Sequence, residues 1–348
     1  MSDSIHREKM NKWGLIMINF VTVNEMNKDV IDSLVNIPHD VDLIVGVPRS
    51  GMLVASIIAA QLNKPMMDIN SYCNNMECSV GKTTNITVKR MSEIKKVLSV
   101  EDSVLLGVSI NEVKKRIEQA GLETVREHIY YAVYVSKMHK SYVFVDYYSR
   151  MLDNRIFEWN LMHHPELNHM CFDIDGVLCE DPTHEKNDDG EKYLDFLKNA
   201  RPKYVPTRKI GCLVTSRLEK YRNVTESWLQ SQGIEYDKLI MCPLKTIEER
   251  QRYWNHAAQK AIVYAQLTGS ELFVESEKWQ AIEIARRTMK PVFCTENQQL
   301  YSPVDFPKDK ARYEVLSKIG KVFPKRVRAE YKRRMIITSR INNPNSRY

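Results

Sequence analysis

The segment Met170-Cys-Phe-Asp173-Ile-Asp175-Gly176 is a short apolar run that ends in two carboxylates spaced i, i+2 and then a glycine. On a strand both acids face one side, and at the C-terminal end of a parallel strand they enter the crevice where α/β proteins bind ligands. Two such acids divide labour: one attacks phosphorus, and its neighbour gives a proton to the leaving oxygen and later takes one from water. Two anions facing a phosphate need a cation, which implies Mg²⁺ held by Asp173, Asp175 and the phosphate itself. A second apolar run, 210–214, ends in Thr215-Ser216-Arg217 and offers a hydroxyl and backbone N–H groups to a phosphoryl oxygen. Lys260 follows on a helix, and a later strand ends in Glu275-Ser276-Glu277, whose acids are placed to complete a metal site. Far upstream, the run 41–47 leads into Pro48-Arg49-Ser50-Gly51 and a helix. Free N–H groups and the helix dipole at such a turn favour phosphate, and Arg49 adds charge.

These groups need elements to hold them. Short apolar runs at 41–47, 103–108, 129–135, 142–145, 170–174, 210–215, 238–241, 271–275 and 291–294 read as strands. They alternate with helical patterns at 50–62, 110–120, 219–232, 247–267 and 278–288, the signature of βαβ units and mostly parallel sheets. The fold class is α/β, with two Rossmann-like three-layer domains at 1–150 and 151–305 and an irregular seam at 149–169. A basic tail at 306–348 reads as helix over 311–340, interrupted by Pro324. The stretch 179–209 is short and rich in charge, which excludes a large lid over the paired acids.

At 348 residues, 43% hydrophobic and 27% charged, the chain is a globular protein of about two domains rather than a disordered or fibrous one. The net charge of +7 is unevenly placed: residues 311–348 hold eleven Lys/Arg and two acids. Everything before them is slightly acidic. No apolar run reaches the roughly 18–20 residues of a bilayer span, and the N-terminus has no secretory signal pattern. Seven cysteines without metal-ligand spacing suit a reducing cytoplasm, as core or loop thiols. The tail's basic residues, interleaved with Val322, Phe323, Val327, Tyr331, Met335 and Ile336, point to an anionic membrane surface, with nucleic acid the weaker reading.

Taken in order, Asp173-Ile-Asp175-Gly-Val-Leu, Thr215-Ser-Arg, Lys260 and Glu275-Ser-Glu277 resemble the four motifs of the haloacid dehalogenase superfamily of phosphatases, over about residues 168–300. The resemblance implies Asp173 as the nucleophile of an aspartyl-phosphate mechanism and Asp175 as general acid/base. It implies Thr215 as a phosphoryl ligand, Lys260 as the charge-neutralising lysine, and Mg²⁺ served by Asp173, Asp175, Glu275 and Glu277. Lys245 competes for the lysine role. The run from Val41 to Tyr72 resembles the start of a type I phosphoribosyltransferase, where Arg49, Ser50 and Gly51 would bind the pyrophosphate of phosphoribosyl pyrophosphate; the resemblance extends over about residues 30–147. The segment Asn74–Asn85 would be that family's mobile loop. Aligning its acidic strand with 103–113 puts Gly107 and Val108 at the acidic pair and Glu112-Val113 at the Thr-Gly of the phosphate loop, with Ser109 and Asn111 as phosphate ligands. On that alignment Glu112, Asp68 or Asp146 supplies the missing carboxylates, and Ser109-Ile-Asn-Glu112 reads as a helix capping box.

The two halves together are similar to dual-domain ribofuranosyltransferases of bacterial surface-polysaccharide assembly. That similarity implies a cytoplasmic bifunctional enzyme which transfers 5-phosphoribose to a glycan and removes the 5-phosphate, and the basic tail adds the expectation of a place at the inner face of the membrane. Two rivals are a Mg²⁺-dependent phosphatase regulated by a nucleotide- or phosphoribosyl-sensing domain, and an enzyme of nucleic-acid modification or defence.

Overall fold

A computed structural model describes residues 18–78, 90–267 and 269–302. The basic tail and much of the expected mobile loop lie outside these residues. The chain divides into two compact units, Met1–Trp159 and Asn160–Tyr348. The division falls after Trp159 because two further strands close the first unit.

The first unit runs β1 (Asn19–Val21), α1 (Val23–Ser33), β2 (Leu43–Gly46), α2 (Gly51–Leu62), β3 (Met66–Asp68), α3 (Ile69–Cys73), β4 (Lys96–Val104), α4 (Val108–Gln119), β5 (Glu127–Val135), β6 (Tyr147–Met151) and β7 (Arg155–Phe157). Strands pair in the order β3-β2-β4-β5-β6, all parallel, while β1 and β7 form a separate parallel pair. Met26 and Val30 of α1 and Val54, Ala55 and Ile58 of α2 pack on Ile44, Leu98, Val100 and Val133. Val113 and Ile117 of α4, with Ile69 and Tyr72 of α3, pack on Leu43, Val45 and Val97. Alternate residues of one strand thus serve two helical layers, which is why these strands are apolar throughout. Thr22 caps α1 in a reciprocal capping box with Glu25.

The second unit runs β8 (Met170–Phe172), α5 (Glu191–Asn199), β9 (Ile210–Leu218), α6 (Arg222–Ser231), β10 (Tyr236–Cys242), α7 (Ile247–Tyr253), α8 (His256–Gln266), β11 (Leu272–Glu275), α9 (Lys278–Thr288), β12 (Val292–Cys294) and β13 (Gln299–Tyr301). Its sheet order is β10-β9-β8-β11-β12-β13, parallel except for the edge strand β13. Ala257, Ala261 and Tyr264 of α8 and Ala281, Ile284 and Ala285 of α9 pack on Cys171, Cys212, Val214, Phe273 and Val292. All seven cysteines are free.

Three expected elements differ. The strand placed at 103–108 is Lys96–Val104, because Glu101 and Asp102 lie within it rather than ending it. Residues 142–145 fall largely in a 3₁₀ turn, Ser141–Phe144, and the strand follows at Tyr147–Met151. The long helix 247–267 is two helices, since Asn255 caps the second by accepting the Ala258 N–H at 2.9 Å.

Candidate active sites

In each unit the strand order reverses direction between two central strands, and the crevice there is where α/β sheets bind ligands. In the first unit these strands are β2 and β4. β2 passes through Val47-Pro48-Arg49-Ser50 into α2, and the Val47 N–H donates to Val100 O at 3.0 Å. A Cβ on Gly51 would lie 2.6 Å from Val100 O and 3.2 Å from the Glu101 Cα, so only glycine lets the α2 N-terminus approach β4 this closely.

Across that contact, β4 carries Glu101 and Asp102, both buried and, by strand alternation, on opposite faces. Ser109 Oγ donates to Glu101 Oε2 at 2.5 Å, and Trp159 Nε1–H donates to Asp102 Oδ2 at 2.8 Å. Burial pushes the Glu101 carboxyl up to about 8, against the pull of the Ser109 hydrogen bond. Burial raises Asp102 as well, opposed by Trp159 and by the Arg155 guanidinium. Beyond β4 the chain turns at Gly107, φ +73°, into α4; Gly107 O accepts the Asn111 N–H at 3.0 Å. Arg49, Ser50 and Gly51 therefore stand at one helix N-terminus, Ser109 and Asn111 at a second, and Glu101 with Asp102 on β4.

Two expected outcomes follow. Glu101 keeps its proton in the fold up to about 8 but ionises near 4.5 when unfolded, so the folded chain holds the extra proton between those values. Its contribution to stability is greatest at low pH and falls as pH rises through this window. Glu101→Gln should flatten that decline in urea unfolding curves; an unchanged slope would contradict the assignment. Gly107→Ala should lower the unfolding free energy by about 1–2 kcal/mol from the left-handed backbone alone. The added methyl also lands 2.6 Å from the Phe144 ring. Thermal unfolding of this variant is the check.

In the second unit the crevice lies between β8 and β11. Asp173 directly follows β8, and Glu275 ends β11. Lys260, on α8, donates from Nζ to Asp173 Oδ2 at 2.5 Å, Glu275 Oε2 at 2.7 Å and Gln280 Oε1 at 3.0 Å, using all three ammonium hydrogens. All four side chains are buried. Burial raises the Asp173 carboxyl, and the neighbouring Glu275 and Asp175 charges raise it further against the pull of Lys260. Lys245 does not enter this cluster; its backbone N–H donates to Glu249.

Asp175 has a different partner. Arg217, whose side chain is 0% exposed, donates from Nε to both Asp175 oxygens at 3.2 and 3.1 Å and from Nη2 to Oδ1 at 2.6 Å. Thr215, buried two residues earlier on β9, accepts the Arg217 N–H at 3.2 Å. Glu277 caps the entry to α9 and accepts from Gln280 Nε2 at 2.8 Å. The sequence reading missed Arg217 as the partner of Asp175; its i, i+2 spacing from Thr215 on one strand face was the available signal. It also missed Gln280 and Asp181. The Asp181 carboxyl rises to about 6, chiefly by partial burial and then by the charges of Asp175 and Glu277.

Among the described residues, the cations beside Asp173, Asp175, Asp181, Glu275 and Glu277 are Lys260, Arg217 and Lys203, whose Nζ donates to Gly176 O at 2.8 Å, a formal surplus of two negative charges. Hard oxygens with that surplus fit Mg²⁺. Among the described residues no three His, Cys, Asp or Glu side chains converge as a ready cage. A bound Mg²⁺ would thus draw on one or two carboxylates, water and a substrate phosphate, its usual company.

Residues 19–166 match the family model described as the phosphoribosyl transferase domain. The solved structures similar to the chain include the xanthine-guanine-hypoxanthine phosphoribosyltransferase of Helicobacter pylori, at 15% identity and TM-score 0.31, covering 40% of this chain and 92% of that one. The purine phosphoribosyltransferase of Pyrococcus horikoshii is 18% identical, TM-score 0.29, with the same shares, 40% and 92%. The adenine phosphoribosyl transferase of Trypanosoma brucei, in complex with AMP, pyrophosphate and ribose-5-phosphate, is 13% identical, TM-score 0.26, covering 37% and 64%. No curated protein matches the chain.

Glu101 and Asp102 lie within β4, which corrects the strand expected at 103–108 that carried Gly107 and Val108. β4 stops at Val104, so Gly107 and Val108 lie past the strand, at the N-cap and first turn of α4. The capping box at Ser109 is corrected with it. Ser109 sits inside α4 and turns its hydroxyl to Glu101, and Gly107 is the N-cap. Asp68 caps α3 by accepting from Asn70 and Ser71, and Asp146 accepts the Tyr130 N–H at 2.8 Å. Glu112 is exposed on α4.

Proposed function

We propose that the chain is a bifunctional enzyme that transfers 5-phosphoribose from phosphoribosyl pyrophosphate to a glycan hydroxyl and then hydrolyses the 5-phosphate. The observation that carries the transfer is the buried Glu101–Asp102 pair between two helix N-termini at the β2/β4 crevice. Pyrophosphate and 5-phosphate suit the two N-termini, with Arg49, Ser50 and Gly51 at the first and Ser109 and Asn111 at the second. Glu101 accepts from a ribose hydroxyl. The bond from ribose C1 to pyrophosphate breaks, the bond from C1 to the acceptor oxygen forms, and the acceptor's proton is released with pyrophosphate.

In the second unit Asp173 attacks the phosphorus of the product's 5-phosphate, and the ester P–O bond breaks as an aspartyl phosphate forms. Asp175, oriented by Arg217, exchanges the proton: to the leaving oxygen first, then from the water that hydrolyses the aspartyl phosphate. Lys260 holds Asp173 in place and offsets its charge. Thr215 is a ligand for a phosphoryl oxygen. Asp173, Asp175, Glu275 or Glu277 would hold Mg²⁺, which would supply charge neutralisation for the phosphoryl group.

The deciding experiment incubates the full chain with phosphoribosyl pyrophosphate, Mg²⁺ and a panel of glycans while following pyrophosphate and free phosphate separately. Pyrophosphate should appear only with an acceptor and should fall sharply in Glu101→Gln. No transfer to any glycan would sink the reading. One observation favours a ligand-sensing first unit instead: both acids are already engaged within the unit, Glu101 by Ser109 and Asp102 by Trp159. On that second reading isotope-labelled donor is bound but never consumed, and Arg49→Ala changes the phosphatase kinetics.

A further inference from the structure

Because α8 ends at Gln266 and β11 begins at Leu272, the helix runs against the strand, and its N-terminus lies over the strand ends that carry Asp173 and Glu275. His256 is the first residue of α8 and precedes Lys260 by four. Residues at i and i+4 share a helix face with Cβ atoms roughly 6 Å apart, and side chains lean toward the helix N-terminus. His256 therefore stands one turn farther out than Lys260, on the same side, above the ammonium that holds Asp173. The charges that act on its ring agree with this place: Lys260, Arg250 and Glu277.

The polar side chains around it are bonded. Trp254 Nε1 donates to Ser216 Oγ at 3.3 Å, and Arg250 donates to Ser216 O at 3.2 Å and to Asn187 Oδ1 at 3.5 Å. Asn255 accepts the Ala258 N–H, and Glu277 accepts from Gln280. The half-buried imidazole of His256 has no hydrogen-bond partner among the described residues, and neither of its nitrogens is sealed from solvent. In an in-line displacement the leaving oxygen departs on the side away from the attacking carboxylate, here outward from Asp173 toward this rim. Burial, then the Lys260 and Arg250 charges, bring the ring down to about 4, which leaves it one N–H and one lone pair. Arg250 and Glu277 flank it with opposite charges, and Lys260 is shared by two carboxylates, so the rim selects neither an anion nor a cation. A hydroxyl, donor and acceptor at once, matches the ring.

We propose that His256 hydrogen-bonds a hydroxyl of the departing alcohol, which makes it a specificity-determining residue for phosphomonoesters of sugars and other polyols over those of aryl alcohols. The inference rests on the phosphatase reading of the second unit and is independent of ribosyl transfer by the first.

The test measures kcat/KM of the full chain with Mg²⁺ on ribose 5-phosphate and on phenyl phosphate, two esters that differ in the leaving alcohol. The ratio of the two values is the readout, because it does not depend on the fraction of folded enzyme. His256→Phe keeps a planar ring and removes both nitrogens; it should lower the ratio about tenfold, the scale of one hydrogen bond. His256→Gln keeps a donor and an acceptor and should bring most of the ratio back. The proposal is overturned if His256→Phe leaves the ratio where it was, or if His256→Gln lowers it as far, which would assign the residue to shape alone. Failure of the phosphatase reading looks different: the parent itself would release phosphate from neither ester, and the role of His256 would fall with it.

Discussion

Asp173→Asn should abolish phosphate release, by about 10⁴-fold or more, the scale of losing a covalent nucleophile. The replacement is isosteric and preserves the reach to Lys260 Nζ, now 2.5 Å from Asp173 Oδ2. It also removes one of the two carboxylates that share that ammonium, so the fold has no reason to fail. The informative readout is the split between products. Pyrophosphate release in the presence of donor and acceptor should continue, and a 5-phosphorylated product should accumulate. Phosphate release at the parent rate would show that Asp173 is not the attacking group. Loss of both pyrophosphate and phosphate would show that the two units do not act in sequence.

The second large effect is on stability. Lys260 is the shared cation of Asp173 and Glu275, whose side chains are 8% and 0% exposed. Lys260→Met keeps the volume and leaves both carboxylates buried without it, which costs about 3–5 kcal/mol when one partner of a buried pair is removed. Urea unfolding of the second unit should show a correspondingly lower midpoint. Adding Glu275→Gln to Lys260→Met should recover part of the loss, since a neutral amide needs no counter-charge. A shift in Lys260→Met of under about 1 kcal/mol, the range of exposed pairs, would mean that the cluster is solvated rather than sealed.

These two predictions rest on residues whose roles were readable to different depths. Asp173, Asp175, Thr215 and Glu275 were visible because each stands at or near the end of an apolar run, and Lys260 by its place between them, since order along the chain survives in the sequence. α9 was expected at 278–288 and forms at Lys278–Thr288, since its amphipathic pattern is local. The break between α7 and α8 was missed because Asn255 reads as one more polar helix residue until its side chain is seen to accept the Ala258 N–H. The choice between Lys245 and Lys260 also belongs to the fold. Lys260 is 87 residues from Asp173, and only the β9-β8-β11 order brings α8 over the end of β8.

The acidic pair of the first unit shows the same division most clearly. Read as a string, Glu101 and Asp102 interrupt an apolar strand, so a strand starting after them puts the positions of the acidic pair at Gly107 and Val108, where no acid stands. In the folded chain they are the sixth and seventh residues of β4, with Glu101 facing Ala132 across the ladder to β5. The sequence by itself determined two α/β units, the helix N-termini at Gly51 and near Ser109, and the ordered acids and lysine of the second unit, because hydrophobic period and turn chemistry are local. The tertiary structure alone decided that Glu101 rather than Glu112 meets the Ser109 hydroxyl, that Arg217 grips Asp175, and that Lys260 joins Asp173 to Glu275. Burial of a charged group is tolerated only where distant elements supply its partner, and parallel strand order, a long-range property, sets which elements those are.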